Sequence, residues 1–169
     1  MSNIMRIPKI SRVVLSAGAV DKDLEKAKKL IETISEKKAQ ITLSGPRARI
    51  PAFGVKPKME LGTNVTLRNQ EAIEMLRKLL GAIDNRLKVK QIDKNNFSFG
   101  IPEYINIPGV KYMRDIGIRG FNVTVVFERP GIRVKKRKMK KGTIPKKQHV
   151  SPEEIIEYMK ETFNTEVVE

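Results

Sequence analysis

Ten basic residues fall between Arg129 and Lys147 (Arg129, Arg133, Lys135, Lys136, Arg137, Lys138, Lys140, Lys141, Lys146, Lys147), with no acidic residue among them. Such a run repels itself and offers little apolar surface to bury. It gains most when phosphates neutralise it and release their condensed counterions. Gly131, Gly142 and Pro145 interrupt the run, as expected of an arm rather than a packed element. A solvated loop is the plainer reading, but ten like charges inside one domain favour nucleic acid. An anionic membrane would call for an adjoining basic amphipathic helix or a lipidation signal, and the sequence offers neither.

A second, thinner basic segment runs from Gly45 to Lys58. It carries Arg47, Arg49, Lys56 and Lys58 among three prolines and two glycines, which argue against regular structure. Phe53 has two readings here: stacking on a base or sugar, or pinning the loop into the core.

Catalytic chemistry is hard to assemble from what remains. The 169 residues contain no cysteine and one histidine, which excludes disulfides, thiolate zinc, iron–sulfur ligation, cysteine nucleophiles and multi-histidine metal sites. No phosphate-cradling GxxxxGK[ST] or GxGxxG follows a strand-like run. His149 follows Lys146-Lys147-Gln148 without a neighbouring nucleophile, so it reads as an exposed RNA-facing or capping residue. Glu153, Glu154, Glu157 and Glu161 read as a solvated helix face. No catalytic residue, metal or cofactor is expected. No apolar run approaches the ~20 residues of a membrane span, and a net charge of +15 points to a polyanionic partner. A soluble protein of a reduced compartment is expected.

The framework that must hold these loops is legible from periodicity. Leu24, Ala27, Ile31 and Ile34 form one stripe of a helix over Asp21 to Lys37, with Asp21 as cap. Ala72, Leu76, Leu79, Leu80 and Ile83 predict a second from about Gln70 to Leu87, capped by Asn69. Ser151-Pro152-Glu153-Glu154 supplies a hydroxyl cap, a proline at the first position and a capping box for a third, with Ile155, Met159 and Phe163 inside. Period-two alternation marks strands over Leu61 to Arg68 and Phe121 to Glu128, with further strands at Ile10 to Ser16 and Gln40 to Leu43. The strands are not spaced as repeated βαβ units. The expected fold is therefore α+β: a single domain over residues 1–169, with a mostly antiparallel or mixed sheet and helices packed on one face. The basic arm would occupy about 129–150 and the terminal helix about 151–163.

Arg12, Ser16, Asn64, Thr66, Arg68, Asn122 and Thr124 would then share the helix-free side of the sheet. These are suitable partners for phosphates, 2′-hydroxyls and base edges. Plain solvent exposure of an antiparallel sheet explains them equally well.

At this point the chain resembles a known family. Asn3-Ile4-Met5-Arg6, Phe53-Gly54, Val65-Thr66-Leu67-Arg68 and Asn96-Phe97-Ser98-Phe99-Gly100-Ile101 match in order. Glu103, Ile105 and Ile107 follow at the family spacing. Pro108-Gly109-Val110-Lys111-Tyr112, Asp115-Ile116-Gly117-Ile118 and Glu128-Arg129-Pro130-Gly131 complete the series. The family is ribosomal protein "L five", the 5S-rRNA-binding protein of the large subunit, and the basic segment after Gly131 resembles its archaeal and eukaryotic form. Two departures stand out. Ser16-Ala17-Gly18-Ala19-Val20 replaces the usual Asn-x-Gly-Val-Gly, and Lys38-Ala39-Gln40 replaces a Gly-Gln pair.

The resemblance implies an α+β sandwich in the central protuberance that holds 5S rRNA against large-subunit rRNA. It implies 5S-facing positions at Asn3, Arg6, Ser16, Ser44, Arg47, Phe53 and Thr66, with Gln40 in the place of the family glutamine. Arg12, Arg49, Asn64, Arg68, Arg133, Lys135, Lys136, Arg137 and Lys138 complete the expected rRNA-binding set. A loop at Val55, Lys56, Pro57 and Lys58 is implied to approach P-site tRNA. Neighbouring ribosomal proteins of the central protuberance and of the small-subunit head are the implied protein partners. The implied location is the cytoplasm, on the ribosome. Two rivals from other classes are an RNA-modifying enzyme, which would need a cofactor pocket, and a general nucleic-acid compactor, which would also bind duplex DNA.

Overall fold

Residues 3–168 are described in a computed structural model. Strand β1 (Lys9–Gly18) leads into helix α1 (Lys22–Ser35), then β2 (Gln40–Leu43), β3 (Glu60–Arg68) and α2 (Asn69–Gly81). Three short strands follow: β4 (Arg86–Lys88), β5 (Ile92–Asp93) and β6 (Asn96–Ile101). After β7 (Phe121–Glu128) come the one-turn helix α3 (Arg133–Lys136), helix α4 (Pro152–Phe163) and β8 (Glu166–Val168). The main sheet has the order β2-β3-β1-β7-β6-β5, and β4 pairs separately with β8 in parallel. The β2–β3 and β5–β6 pairs are antiparallel. The fold is α+β, as the element pattern predicts.

The sheet has one apolar face because its residues alternate. Val13, Leu15 and Ala17 of β1 are buried, as are Val65 and Leu67 of β3, Phe97, Phe99 and Ile101 of β6, and Phe121, Val123, Val125 and Phe127 of β7. Intervening positions such as Ser16, Asn64, Thr66 and Asn122 are half-buried or exposed. Each long helix buries one stripe: Leu24, Ala27, Leu30, Ile31 and Ile34 in α1, Ala72, Leu76, Leu79 and Leu80 in α2, and Ile155, Met159 and Phe163 in α4.

Contacts divide the chain into two compact units. The first contains the N-terminal stretch to Val13, Arg68–Phe99, and everything from Thr124 onward. The second contains Val14–Leu67 and Gly100–Val123. In the first, the stacked rings of Phe97 and Phe99 lie 6.0 Å apart, and Phe127 meets Tyr158 of α4 edge-on at 5.5 Å. In the second, the phenol oxygen of buried Tyr104 accepts from the Met113 amide at 2.8 Å, and Arg119 pairs with Asp23 of α1. These two contacts pin the long 102–120 connection.

Caps and ends depart from expectation where the backbone turns left-handed. Ser151 caps α4 as predicted: its backbone N–H donates to Glu154 at 2.9 Å, and its hydroxyl accepts from the Glu154 amide. Asp21 sits at the cap of α1 but makes no side-chain bond, because its φ of 52° leaves the extended conformation a capping side chain uses. Asn69, expected as the cap of α2, is its first helical residue with φ 56°, and Arg68 takes the cap position. Helix α2 also stops at Gly81 rather than reaching Leu87. Asp84 and Asn85 both adopt positive φ there, and Leu87 is buried in β4 instead.

Gly120 precedes β7 in the second unit. A methyl group there would lie 2.6 Å from the carbonyl oxygen of Ile101 and 2.7 Å from that of Pro102. Both contacts are backbone, so neither can swing away. Gly120→Ala is expected to destabilise the protein by about 1–3 kcal/mol, read as a lower urea midpoint with unchanged slope. An unchanged midpoint would show that the β6–β7 end relaxes freely.

Candidate nucleic-acid interface

In the second unit the basic 45–58 segment is an ordered loop. Ser44 closes its base. It is only 8% exposed, its hydroxyl donates to the Lys56 carbonyl at 2.6 Å, and the same oxygen accepts from the Met59 amide at 2.9 Å. The Ser44 amide adds a bond to the Met59 carbonyl at 2.7 Å. Further out, Ile50 and Val55 exchange both backbone bonds at 3.1 Å, and Gly54 supplies the positive φ that turns the tip. A third bond, from the Ala48 amide to the Gly45 carbonyl, forms the turn that carries Arg47.

This arrangement excludes the reading in which Phe53 pins the loop into the core. The ring lies on the short helical turn Pro51–Phe53, is 82% exposed, and pins nothing. Arg47, Arg49, Lys56 and Lys58 are exposed on the same loop, with Pro57 exposed and Val55 half-buried. Leaving a phenyl ring in water forgoes apolar burial, on the order of 2 kcal/mol for a side chain of this size. The loop is closed at its base while the ring stays in solvent.

The same unit also carries polar residues on its sheet strands. Gln40 stands opposite Asn64 in the β2–β3 register, and Asn64 Nδ2 donates to Thr42 Oγ1 at 3.0 Å. Ser16 and Thr66 are half-buried at the polar positions of β1 and β3. Ser16 and Asn122 also line a shallow concavity floored by Gly18, Gly100 and Gly120. The missing side chains bring backbone to the surface there.

The first unit carries the other expected residues. Asn3 and Arg6 are exposed on a helical turn over Ile4–Arg6, where Asn3 Oδ1 accepts from the Met5 amide at 3.0 Å. Arg12 is half-buried and Arg68 is exposed. Arg133, Lys135, Lys136, Arg137 and Lys138 are all exposed on the arm, where only Arg133–Lys136 is helical. Lys136 Nζ lies 2.5 Å from Glu128.

Sequence reasoning missed how that arm is anchored. Arg129 pairs with Glu154 and donates to the Lys147 carbonyl at 3.0 Å, while Gln148 Nε2 donates to the Pro130 carbonyl at 3.1 Å. Asn95 Oδ1 accepts from the Val150 amide at 2.8 Å, and its Nδ2 meets His149 Nδ1 at 2.7 Å. The arm's two ends are thereby stapled together. The signal was thin: Asn95 reads as a turn asparagine, and its partners are more than fifty residues away.

Among the described residues, no group of three or more His, Cys, Asp or Glu residues is placed to hold a metal ion, and no helix is long and apolar enough to cross a membrane. The chemistry on offer is that of fixed donors, cations and exposed aromatic rings, of which Phe53 is the most exposed.

Comparison with known proteins agrees. Residues 60–150 match the family described as the ribosomal "L five P" family C-terminus. The chain is 41% identical over 168 residues to the large ribosomal subunit protein uL5 of Methanosphaera stadtmanae, covering 98% of this chain and 99% of that one. It is 39% identical over 170 residues to uL5 of Sulfolobus acidocaldarius, covering 99% and 94%. With uL5 of Methanococcus vannielii the identity is 41% over 170 residues, covering 97% and 93%. The class is therefore that of structural, RNA-associated ribosomal proteins rather than enzymes. Within it, the chain belongs to the uL5 family of the large ribosomal subunit, in the archaeal form.

Ser44→Ala removes both hydroxyl bonds at the loop base and leaves the Met59 amide without its side-chain acceptor. Amide exchange at Met59 should accelerate several-fold, since only its longer bond to the Lys56 carbonyl at 3.3 Å remains and a lost hydrogen bond costs about 0.5–1.5 kcal/mol. Protection unchanged at Met59 would show that the backbone bonds alone hold the loop.

Proposed function

We propose that this chain binds 5S rRNA and attaches it to large-subunit rRNA in the central protuberance. The observation that carries the reading is the clasped 44–59 loop, which presents exposed Phe53 beside exposed Arg47 and Arg49. Arginine and lysine neutralise phosphates and release counterions, which supplies affinity without sequence preference. Phe53 stacks on an unpaired base, a contact typically contributing about 1–3 kcal/mol. Ser16, Gln40, Asn64 and Thr66 then fix register on a folded RNA by bonding to sugar and phosphate oxygens. Ser44 acts from beneath by shaping the loop.

In the first unit, Asn3, Arg6, Arg12 and Arg68 add to the rRNA contacts, and Arg133, Lys135, Lys136, Arg137 and Lys138 give the arm its hold on large-subunit rRNA. Val55, Lys56, Pro57 and Lys58, on the returning limb of the loop, approach P-site tRNA. The chain faces the small-subunit head and touches neighbouring proteins of the central protuberance in the cytoplasmic ribosome.

Charge and stacking separate experimentally. Arg47→Ala or Arg6→Ala should weaken 5S rRNA binding and flatten its salt dependence by about 0.7–0.9 per lost phosphate contact. Phe53→Ala should weaken it by about 1–3 kcal/mol while leaving the slope unchanged. Fluorescence anisotropy across a salt series, with excess duplex DNA as competitor, reads both. Displacement by the DNA, or unchanged affinity and slope in all three variants, would overturn the assignment. Lys56→Ala combined with Lys58→Ala keeps the backbone bonds of the loop; it should spare 5S binding and lower P-site tRNA occupancy on reconstituted subunits. Loss of 5S binding in that variant would assign the loop to the other RNA.

A further inference from the structure

The stapled root of the basic arm encloses a concavity within the first unit, lined by Arg12, Asn95, Lys135, Gln148 and His149 around an apolar wall that includes Ile132. We propose that this concavity is a socket for a single RNA-backbone phosphodiester. The proposal holds whichever ribosomal RNA supplies the group.

Charge is the first argument. Two of the cations at the arm root are already spent, Arg129 on Glu154 and Lys136 on Glu128. Glu128 and Arg129 themselves line the hollow, and these two pairings offset the charge that each brings to it. Arg12 of β1 and Lys135 of α3 line the same hollow, and neither makes an ion pair among the described residues. The hollow therefore keeps two uncompensated positive charges beside an apolar wall. An anion that loses water there meets a stronger field than on the open arm.

Hydrogen bonding is the second argument, and it turns on Asn95. The Val150 amide donates to Asn95 Oδ1, which fixes the orientation of the side-chain amide. Its NH2 group must then donate to His149 Nδ1, 2.7 Å away. An imidazole that accepts at Nδ1 carries its proton on Nε2 in the neutral state. His149 is thus held as an Nε2–H donor by a residue 54 positions earlier in the chain. Gln148 adds another donor: one N–H of its amide goes to the Pro130 carbonyl, and the second stays available. Two charges with two neutral donors suit a singly charged group that exposes two non-bridging oxygens.

The test uses isotope-labelled full-length protein. Nuclear magnetic resonance follows the His149 ring and the backbone amides of Arg12, Lys135 and Gln148 at constant ionic strength. One titration adds uridylyl-uridine, a dinucleotide with an internal diester and no terminal phosphate; a second adds inorganic phosphate. The expected result is saturable shifts confined to these residues with the dinucleotide, and weaker ones with phosphate. Before any addition, the ring should show the Nε2–H tautomer. Arg12→Gln and Lys135→Gln should each weaken the dinucleotide roughly tenfold, whereas Lys140→Gln, outside the lining, should leave it unchanged.

Shifts spread evenly over the arm lysines, saturation by phosphate alone, or the Nδ1–H tautomer would each overturn the socket. Should either variant unfold, mapping on the unmodified protein still decides. No 5S rRNA enters this test, so its failure leaves the 5S reading standing. A failed 5S experiment likewise leaves the socket standing.

Discussion

Mutual repulsion among cations is the constraint on which this structure depends. A net charge of +15 on 169 residues opposes compaction, and the chain meets it by segregation. Apolar side chains fill one face of the sheet and a stripe of each long helix, while the net positive charge concentrates on a loop and an arm that contribute little to the core. The few acidic partners are placed where they matter most for shape. Glu154 and Glu128 pair with Arg129 and Lys136 of the arm, and Asp23 holds Arg119 at the end of the 102–120 connection. The remaining charge is left to be neutralised by RNA.

Segregation alone would yield floppy basic segments, which bind anything negative. Both segments are instead shaped largely by uncharged bonds, to which the arm adds the Arg129–Glu154 pair. In the loop, the Ser44 hydroxyl and the Ile50–Val55 exchange do this; in the arm, Asn95 and Gln148 bind backbone groups at its ends. Uncharged bonds of this kind are less sensitive to salt than ion pairs. The geometry offered to RNA therefore survives the ionic strengths at which counterion release weakens the affinity itself.

Periodicity makes most of the scaffold legible. The stripes of α1 and α4 and the alternation in β7 come from burial, and burial leaves a strong trace in residue order. Helix α2 is overrun in the sequence because Ile83 and Leu87 continue its spacing by coincidence, although Gly81 and the pair Asp84-Asn85 mark the break. Strand β6 alternates clearly at Phe97, Phe99 and Ile101, yet enters the sequence reading only as part of a family motif. The two- and three-residue strands β4, β5 and β8 are invisible there, since what makes them strands is a partner elsewhere. The interface divides in the same way. The cations are legible by type, but the exposure of Phe53, the clasp under it and the Asn95–His149 contact depend on long-range pairing that residue order does not encode.

The parallel pairing of β8 with β4 joins residues 166–168 to residues 86–88. A polypeptide leaves the synthesising ribosome from its N-terminus, so this small sheet must wait until the last strand has cleared the exit tunnel. The unit built from Val14–Leu67 and Gly100–Val123 has all of its residues available earlier. The bonds that close its loop draw only on residues 44–59, so the loop's shape does not depend on the β4–β8 pairing.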